Sequence, residues 1–467
     1  MYEDGNGPAN RRVAFVTLGC RVNQFESDML LRSGRKAGYR QARSGEKADL
    51  VVFNTCSVTG ESERQARQAI RRAVRDNPGA RVVVTGCYAQ RDPETLARIP
   101  GVALVLGNGE KKRIFELLEG VDPGQGGIRF ADLRAESLFQ GLFTAIPPAA
   151  DPAMADRELF SDPEQASAGA PDRARAFLHV QNGCDAGCTF CVIPALRGAS
   201  RSAAPDQVVA WARHFLAQGF RELVLTGINL GAYGRDLVDP TTLSHLVEHL
   251  LELPNLGRLR LSSMAPQDLD LSFMTLLQEQ PRLAPHLHLS LQSGDNLILK
   301  RMRRPYTREE LLVTIETLRE RRPEIVLGAD IIVGFPTETE AAFARTLDLL
   351  QEGKIALPHV FRYSDRPGTP AARIPSHLRV SPEQLRERAE CLRQAARAIL
   401  HTTLMEQVGS EGEVLVETVA DGLAQGKTGG FLPLAFPAAD PDLVGQLVRV
   451  TVTGVDASGA GLVGKTR

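Results

Sequence analysis

The chain has 467 residues, 43% apolar and 24% charged, with 55 Lys and Arg against 56 Asp and Glu. That length makes about two to four domains of ordinary size, and the composition excludes a disordered polyelectrolyte. No apolar run approaches the ~18 residues that span a bilayer, and Met1-Tyr2-Glu3-Asp4-Gly5-Asn6-Gly7 lacks the basic and apolar regions of a leader, so a cytoplasmic protein is expected.

The N-terminal stretch alternates short β-branched runs with polar helical ones, the pattern of a parallel sheet covered by helices. Strands are predicted over Val13 to Leu18, Leu50 to Asn54, Arg81 to Thr85 and Ala103 to Leu106, and helices over Gln24 to Ala37 and Glu61 to Asp76. Cys20, Cys56 and Cys87 each fall just past a predicted strand, one β-α unit apart. Strand ends of a parallel sheet open on one edge, where open α/β folds bind ligands, so the three thiols are expected to converge there. On the second helix Arg64, Arg67, Arg71 and Arg75 share a face suited to a row of phosphates, or simply to solvent.

Residues 146–170 are acidic and rich in Ala, Pro, Asp and Ser, and read as a linker or inserted loop. Strands are then predicted over Ala176 to Gln181, Glu222 to Thr226, Arg258 to Ser262, His286 to Leu291, Ile325 to Val333 and Leu357 to Phe361. Six β-α units suit a partial (β/α)6 barrel and fall short of a complete eight-stranded one. A helix from Pro382 to about Met405 leads into Gly-punctuated β runs over Glu413 to Thr418, Gly430 to Phe436 and Gln446 to Val455, which predict a small β-barrel. The expected fold class is α/β multidomain: an open parallel α/β domain over 1–145, the linker over 146–170, the partial barrel over 171–400 and the β-barrel over 401–467.

Seven cysteines are few, and odd in number, for a disulfide framework. Cys184-Asp-Ala-Gly-Cys188-Thr-Phe-Cys191 places three thiols close together after a predicted strand. A structural zinc ion wants a fourth ligand, such as His179, whereas an iron–sulfur cubane held by three thiolates keeps one iron open to react. Cys391 stands alone in a helical pattern and reads as an idle or buried thiol. His245-Leu-Val-Glu-His249 fits an inverted zinc-protease motif, but on an amphipathic helix it reads as surface.

The C-x-x-x-C-x-x-C spacing resembles that of radical S-adenosylmethionine (SAM) enzymes. Val180 to Gly198, Ser200 to Ser202, Leu225 to Asn229, Arg260 to Ser263, His288 to Gly294, Lys300 to Tyr306, Asp330 to Thr339 and Phe361 to Pro370 resemble stretches of one such family, the methylthiotransferases. The likeness covers nearly the whole chain. It implies an N-terminal methylthiotransferase domain, a radical-SAM partial barrel and a C-terminal TRAM domain. It also implies two [4Fe-4S] clusters and SAM as cofactors. Cys184, Cys188 and Cys191 would hold the cluster that cleaves SAM to a 5′-deoxyadenosyl radical; Cys20, Cys56 and Cys87 would hold an auxiliary cluster that carries the sulfur or methylthio group. Thr226, Gly227, Gln292 and Ser293, at barrel strand ends, are candidates to line the SAM pocket.

Within the family, Thr17 to Asn23, Asn54 to Thr59 and Thr85 to Gln90 resemble the branch that methylthiolates carbon 2 of N6-threonylcarbamoyladenosine beside the tRNA anticodon. Other branches act on isopentenyladenosine in tRNA or on a ribosomal-protein aspartate, and a non-enzymatic alternative is an iron–sulfur RNA-binding module. The implied partners are tRNA and an electron donor such as a flavodoxin or ferredoxin system, with no membrane, and a monomer is expected. The tail departs from an RNA-binding composition: Glu406, Glu411, Glu413, Glu417, Asp421, Asp440, Asp442 and Asp456 stand against Lys427, Arg449, Lys465 and Arg467. RNA is therefore expected to dock mainly through arginines of the first domain and Arg301, Arg303 and Arg304, with the tail making local contacts through its exposed loops.

Overall fold

The computed structural model describes residues 11–43, 45–119, 127–129 and 174–466; the linker expected over 146–170 lies outside them. Two compact units are present, one built from the described parts of 1–147, 182–203 and 364–372, the other from those of 148–181, 204–363 and 373–467.

In the first unit β1 (Arg11–Thr17), β2 (Tyr39–Gln41), β3 (Leu50–Thr55), β4 (Arg81–Gly86), β5 (Val102–Leu106) and β6 (Gly127–Arg129) form one parallel sheet in the order β2-β1-β3-β4-β5-β6. Strands β3, β4 and β5 are buried on both faces, which is why they read as near-continuous apolar runs. Alternate residues feed two cores: Val51, Phe53, Val82 and Val84 pack with Ala66 and Ile70, while Leu50, Val52 and Val83 pack with Leu30 and Ile114. The helix Gly60–Asp76 starts at a reciprocal Thr59/Ser62 capping box. The helix Arg21–Lys36 starts earlier than expected, because its N-cap, Cys20, offers no side-chain cap that the sequence could advertise. The edge strands β2 and β6, three residues each, are too short to show a period.

β7 (Ala176–Asn182) leads into the 182–203 segment, which carries the two-residue β8 (Arg201–Ser202). The second unit continues with β9 (Glu222–Gly227), β10 (Arg258–Leu261), β11 (Ser263–Met264), β12 (His286–Gln292), β13 (Val326–Val333) and β14 (Leu357–Arg362). Its parallel wall comes in two runs, β10-β9-β7 and β11-β12-β13-β14. The single strand expected over Arg258 to Ser262 breaks at Ser262, whose N–H still reaches the Leu225 carbonyl at 2.9 Å. Helices cover this wall, and the long helix Pro382–Glu406, started by a Ser381/Gln384 capping box, leads to the tail.

The tail is a closed barrel of β15 (Glu411–Ala420), β16 (Leu423–Thr428), β17 (Pro433–Pro437), β18 (Leu447–Val455) and β19 (Leu462–Lys465), ordered β15-β16-β17-β19-β18. Val414, Val416, Ala424, Leu434, Phe436, Val450, Val452 and Leu462 fill it. The sequence pattern missed β16, polar and interrupted by Gly426, and the short β19. Beside the barrel, the fully buried Glu222 on β9 accepts hydrogen bonds from Arg175 (2.9 Å), Arg258 (3.1 Å) and Arg260 (3.0 Å). Arg260 also donates to the Gly429 carbonyl at 3.0 Å, Arg258 to the Glu413 carbonyl at 2.9 Å, and Arg175 to Glu417 at 2.6 Å. Part of the tail's acidity is thus neutralised within its own unit. Burial pushes the Glu222 carboxyl up, but the three guanidiniums win and hold it at about 2. Among the described residues no helix is long and apolar enough to cross a membrane.

Candidate cysteine-lined site

Three neighbouring strands, β1, β3 and β4, end at one edge of the first unit's sheet, with Thr17 opposite Asn54 and Asn54 opposite Thr85. Cys20 follows three residues beyond β1, whereas Cys56 and Cys87 follow β3 and β4 directly. Two glycines make the turns possible. A Cβ on Gly19 (φ 111°) would meet the Cys56 Cβ at 2.5 Å and its Sγ at 3.0 Å, and one on Gly86 (φ 100°) would strike the Thr55 backbone. Cys20 is exposed, Cys56 and Cys87 are buried, and none is in a disulfide. Burial and the neighbouring Cys87 and Cys20 sulfurs push the Cys56 thiol up to about 12. Such a trio gives up its protons to a cation that binds sulfur; three soft donors without a disulfide fit an iron–sulfur cluster.

The second trio sits in the loop after β7. Gly183 (φ 73°) turns the chain where a Cβ would collide with the Ala199 carbonyl, and the Cys184 N–H bonds the Gly198 carbonyl at 3.1 Å. These contacts close the loop of Cys184, Cys188 and Cys191 on itself. The Cys191 N–H reaches the Cys188 carbonyl at 3.2 Å, and the Ala186 N–H points to the Cys184 Sγ at 3.4 Å, a backbone donor aimed at sulfur. The short helix Ile193–Arg197 follows, and its Val192 and Leu196 flank pack in one apolar cluster with Cys87. Both cysteine trios therefore belong to the first unit, and helix Ile193–Arg197 touches the residue that carries one of the other trio's thiols.

The residues that join them carry no local signal of that role in the sequence. The Arg197 side chain, 2% exposed, bonds Cys87, Glu26, Asn23 and Asn182, and Glu26 also takes the Lys111 ammonium at 2.5 Å. Asn54 adds a hydrogen bond to the Asn23 carbonyl at 2.9 Å. Next to Cys56, Ser57 bonds Glu63, which pairs with Arg91 (2.6 Å) and Arg366 (2.8 Å). Asn23, Asn54 and Arg197 lie inside the recognised stretches, so their positions were visible and their partners were not.

In the second unit Thr226 and Gly227 end β9, and Gln292, with φ 71°, ends β12. The buried Ser293 hydroxyl is engaged by Thr346 (3.3 Å) and the Asp295 N–H (3.2 Å), which shapes the turn after β12. Of the arginine row, Arg67 turns to the Tyr88 hydroxyl at 2.6 Å and Arg64 pairs with Glu61, while Arg71 and Arg75 are exposed. The His245 and His249 rings lie tilted by 50° with centroids 4.5 Å apart on the surface, with His245 bonded to Thr241.

Residues 12–107 match the family model described as Uncharacterized protein family UPF0004, and residues 178–350 that of the Radical SAM superfamily. The threonylcarbamoyladenosine tRNA methylthiotransferase MtaB of Rickettsia prowazekii is 36% identical over 453 residues, covering 96% of each chain. The tRNA-2-methylthio-N(6)-dimethylallyladenosine synthase of Parafrankia sp. is 34% identical, over 94% of this chain and 83% of that one. Among solved structures, the radical SAM methyltransferase TsrM of Kitasatospora setae aligns with a TM-score of 0.52 at 18% identity, over 78% of this chain and 75% of that one, a likeness of fold.

Proposed function

The chain belongs to the methylthiotransferase family of radical SAM enzymes, and we propose that it adds a methylthio group to carbon 2 of N6-threonylcarbamoyladenosine next to the tRNA anticodon. The observation that carries this reading is the pair of cysteine trios in one unit, with helix Ile193–Arg197 running from one to Cys87 of the other. Inserting sulfur at an unactivated C–H carbon needs hydrogen abstraction and a sulfur donor within reach of each other, and two thiolate-rich sites answer to both needs. When bound, SAM and the two [4Fe-4S] clusters supply the radical, the sulfur and the methyl group.

The protein's own part is to hold and to shield. Cys184, Cys188 and Cys191 are the proposed ligands of the SAM-cleaving cluster, and Cys20, Cys56 and Cys87 those of the auxiliary one. Three ligands at each place leave one iron of each cubane for a non-protein group. Val192 and Leu196 keep water from the Cys87 side, and Gly183 and Gly198 set the shape of the Cys184–Cys191 loop. Thr226, Gly227, Gln292 and Ser293 are the proposed SAM-lining positions. The chain is proposed to work as a cytoplasmic monomer fed by a flavodoxin or ferredoxin system, with 1–145, 146–170, 171–400 and 401–467 as its functional parts.

Anaerobic reconstitution with dithionite tests the enzyme class, since an iron–sulfur RNA-binding module would release no 5′-deoxyadenosine. Mass spectrometry of tRNA nucleosides from a deletion strain tests the substrate: the methylthio-threonylcarbamoyladenosine peak should vanish. Loss of a methylthio-dimethylallyladenosine peak instead would favour the second reading, which the 34%-identical synthase supports.

A further inference from the structure

Arg197 is buried with each of its five N–H groups engaged. Nη1 donates to Glu26 Oε1 (2.9 Å) and Asn182 Oδ1 (3.0 Å), Nη2 to Asn23 Oδ1 (2.7 Å) and Glu26 Oε2 (3.5 Å), and Nε to the Cys87 Sγ at 3.3 Å. Oxygen acceptors on both sides of the fork fix its plane, so the Nε–H is held on the sulfur. Guanidinium cannot shed its charge. Lys111, fully buried, shares the Glu26 carboxylate with it, so among the described residues two basic side chains draw on this one carboxylate in a place closed to water. A buried excess of positive charge is costly unless an anion lies against it. The group that lies against Arg197 on the remaining side is the Cys87 sulfur, 3.3 Å from Nε. A cubane held by three thiolates is itself net negative.

Resting on the reading of Cys20, Cys56 and Cys87 as an auxiliary cluster site, we propose that Arg197 is a positioning residue that donates its Nε–H to the Cys87 thiolate, raises the reduction potential of that cluster and ties the Cys184–Cys191 loop to it. The sign follows from charge: one-electron reduction makes the cluster more negative, and a fixed cation with a hydrogen bond to a ligand sulfur stabilises the reduced form more than the oxidised one. The electron comes from the external donor, and Arg197 neither gains nor loses a proton. Lysine would keep the charge but could not reach the sulfur while also meeting the acceptors from Glu26, Asn23 and Asn182.

The test uses the full chain with Cys184→Ala, Cys188→Ala and Cys191→Ala, so that only the auxiliary cluster gives a signal. This parent, Arg197→Gln and Arg197→Lys are reconstituted without oxygen, assayed for iron, and titrated with dithionite under EPR. With iron retained, Arg197→Gln is expected to lower the reduced-to-oxidised ratio at a given potential roughly tenfold, the scale of one charge-assisted hydrogen bond, or ~59 mV for one electron. Arg197→Lys should recover part of that change. A potential unaltered at full iron content overturns the inference and leaves the two-cluster reading standing. A parent that binds no iron overturns the reading itself. Should the Arg197 variants lose iron, pulsed EPR of the reduced parent labelled with 15N-arginine decides: a nitrogen coupling to the cluster is expected, and its absence overturns the inference.

Discussion

Glu222→Gln would remove the one negative charge shared by Arg175, Arg258 and Arg260 while keeping the side chain's shape. The folded carboxyl is held at about 2 against an ordinary 4.5, a difference worth about 3 kcal/mol. Breaking a buried ion pair by deleting one partner costs ~3–5 kcal/mol, which agrees. Because the folded value is depressed, this stabilisation is complete above the unfolded carboxyl's range and is lost as pH falls from about 4.5 towards 2. The same arginines bond the backbone carbonyls of Glu413, Thr428 and Gly429, so the loss should surface at β15 and the loop before β17. Hydrogen exchange by mass spectrometry at pH 7 should show amides near residues 411–432 exchanging about a hundredfold faster in the variant. Protection there within about threefold of the parent would refute the reasoning, and so would a wild-type acid titration with no loss of stability in that pH window.

Three other outcomes are expected. Cys56→Ala should take anaerobically reconstituted protein from about eight irons per chain to about four and abolish methylthio transfer while 5′-deoxyadenosine is still formed; unchanged iron would count against the auxiliary site. Gly183→Ala, which puts a Cβ into the Ala199 carbonyl at φ 73°, should cost ~1–3 kcal/mol locally and lose the iron of the Cys184–Cys191 loop selectively, as read by EPR. Arg71→Glu with Arg75→Glu, both exposed on helix Gly60–Asp76, should weaken tRNA binding and flatten its salt dependence by about one unit of slope per lost phosphate contact; an unaltered slope would mark that face as solvated surface.

Much of this molecule is local information. The runs of β3 and β4 specify buried parallel strands by their own composition, and a cysteine placed just past each strand must lie at the sheet's ligand-binding edge, whatever the rest of the chain does. The Cys184–Cys191 spacing needs only eight residues. Weak local patterns failed for the same reason: β2, β6 and β19 are too short, and β16 is too polar, to declare themselves before neighbouring strands pair with them. Partners distant in sequence were beyond that reach. Arg197 meets Cys87 across 110 positions and Glu26 across 171, and Arg175 meets Glu417 across 242. Nothing in a lone arginine says which carboxylate or sulfur will face it. That choice belongs to the packed fold, since burying a charge is tolerable only where the tertiary structure has already brought its counter-charge into place.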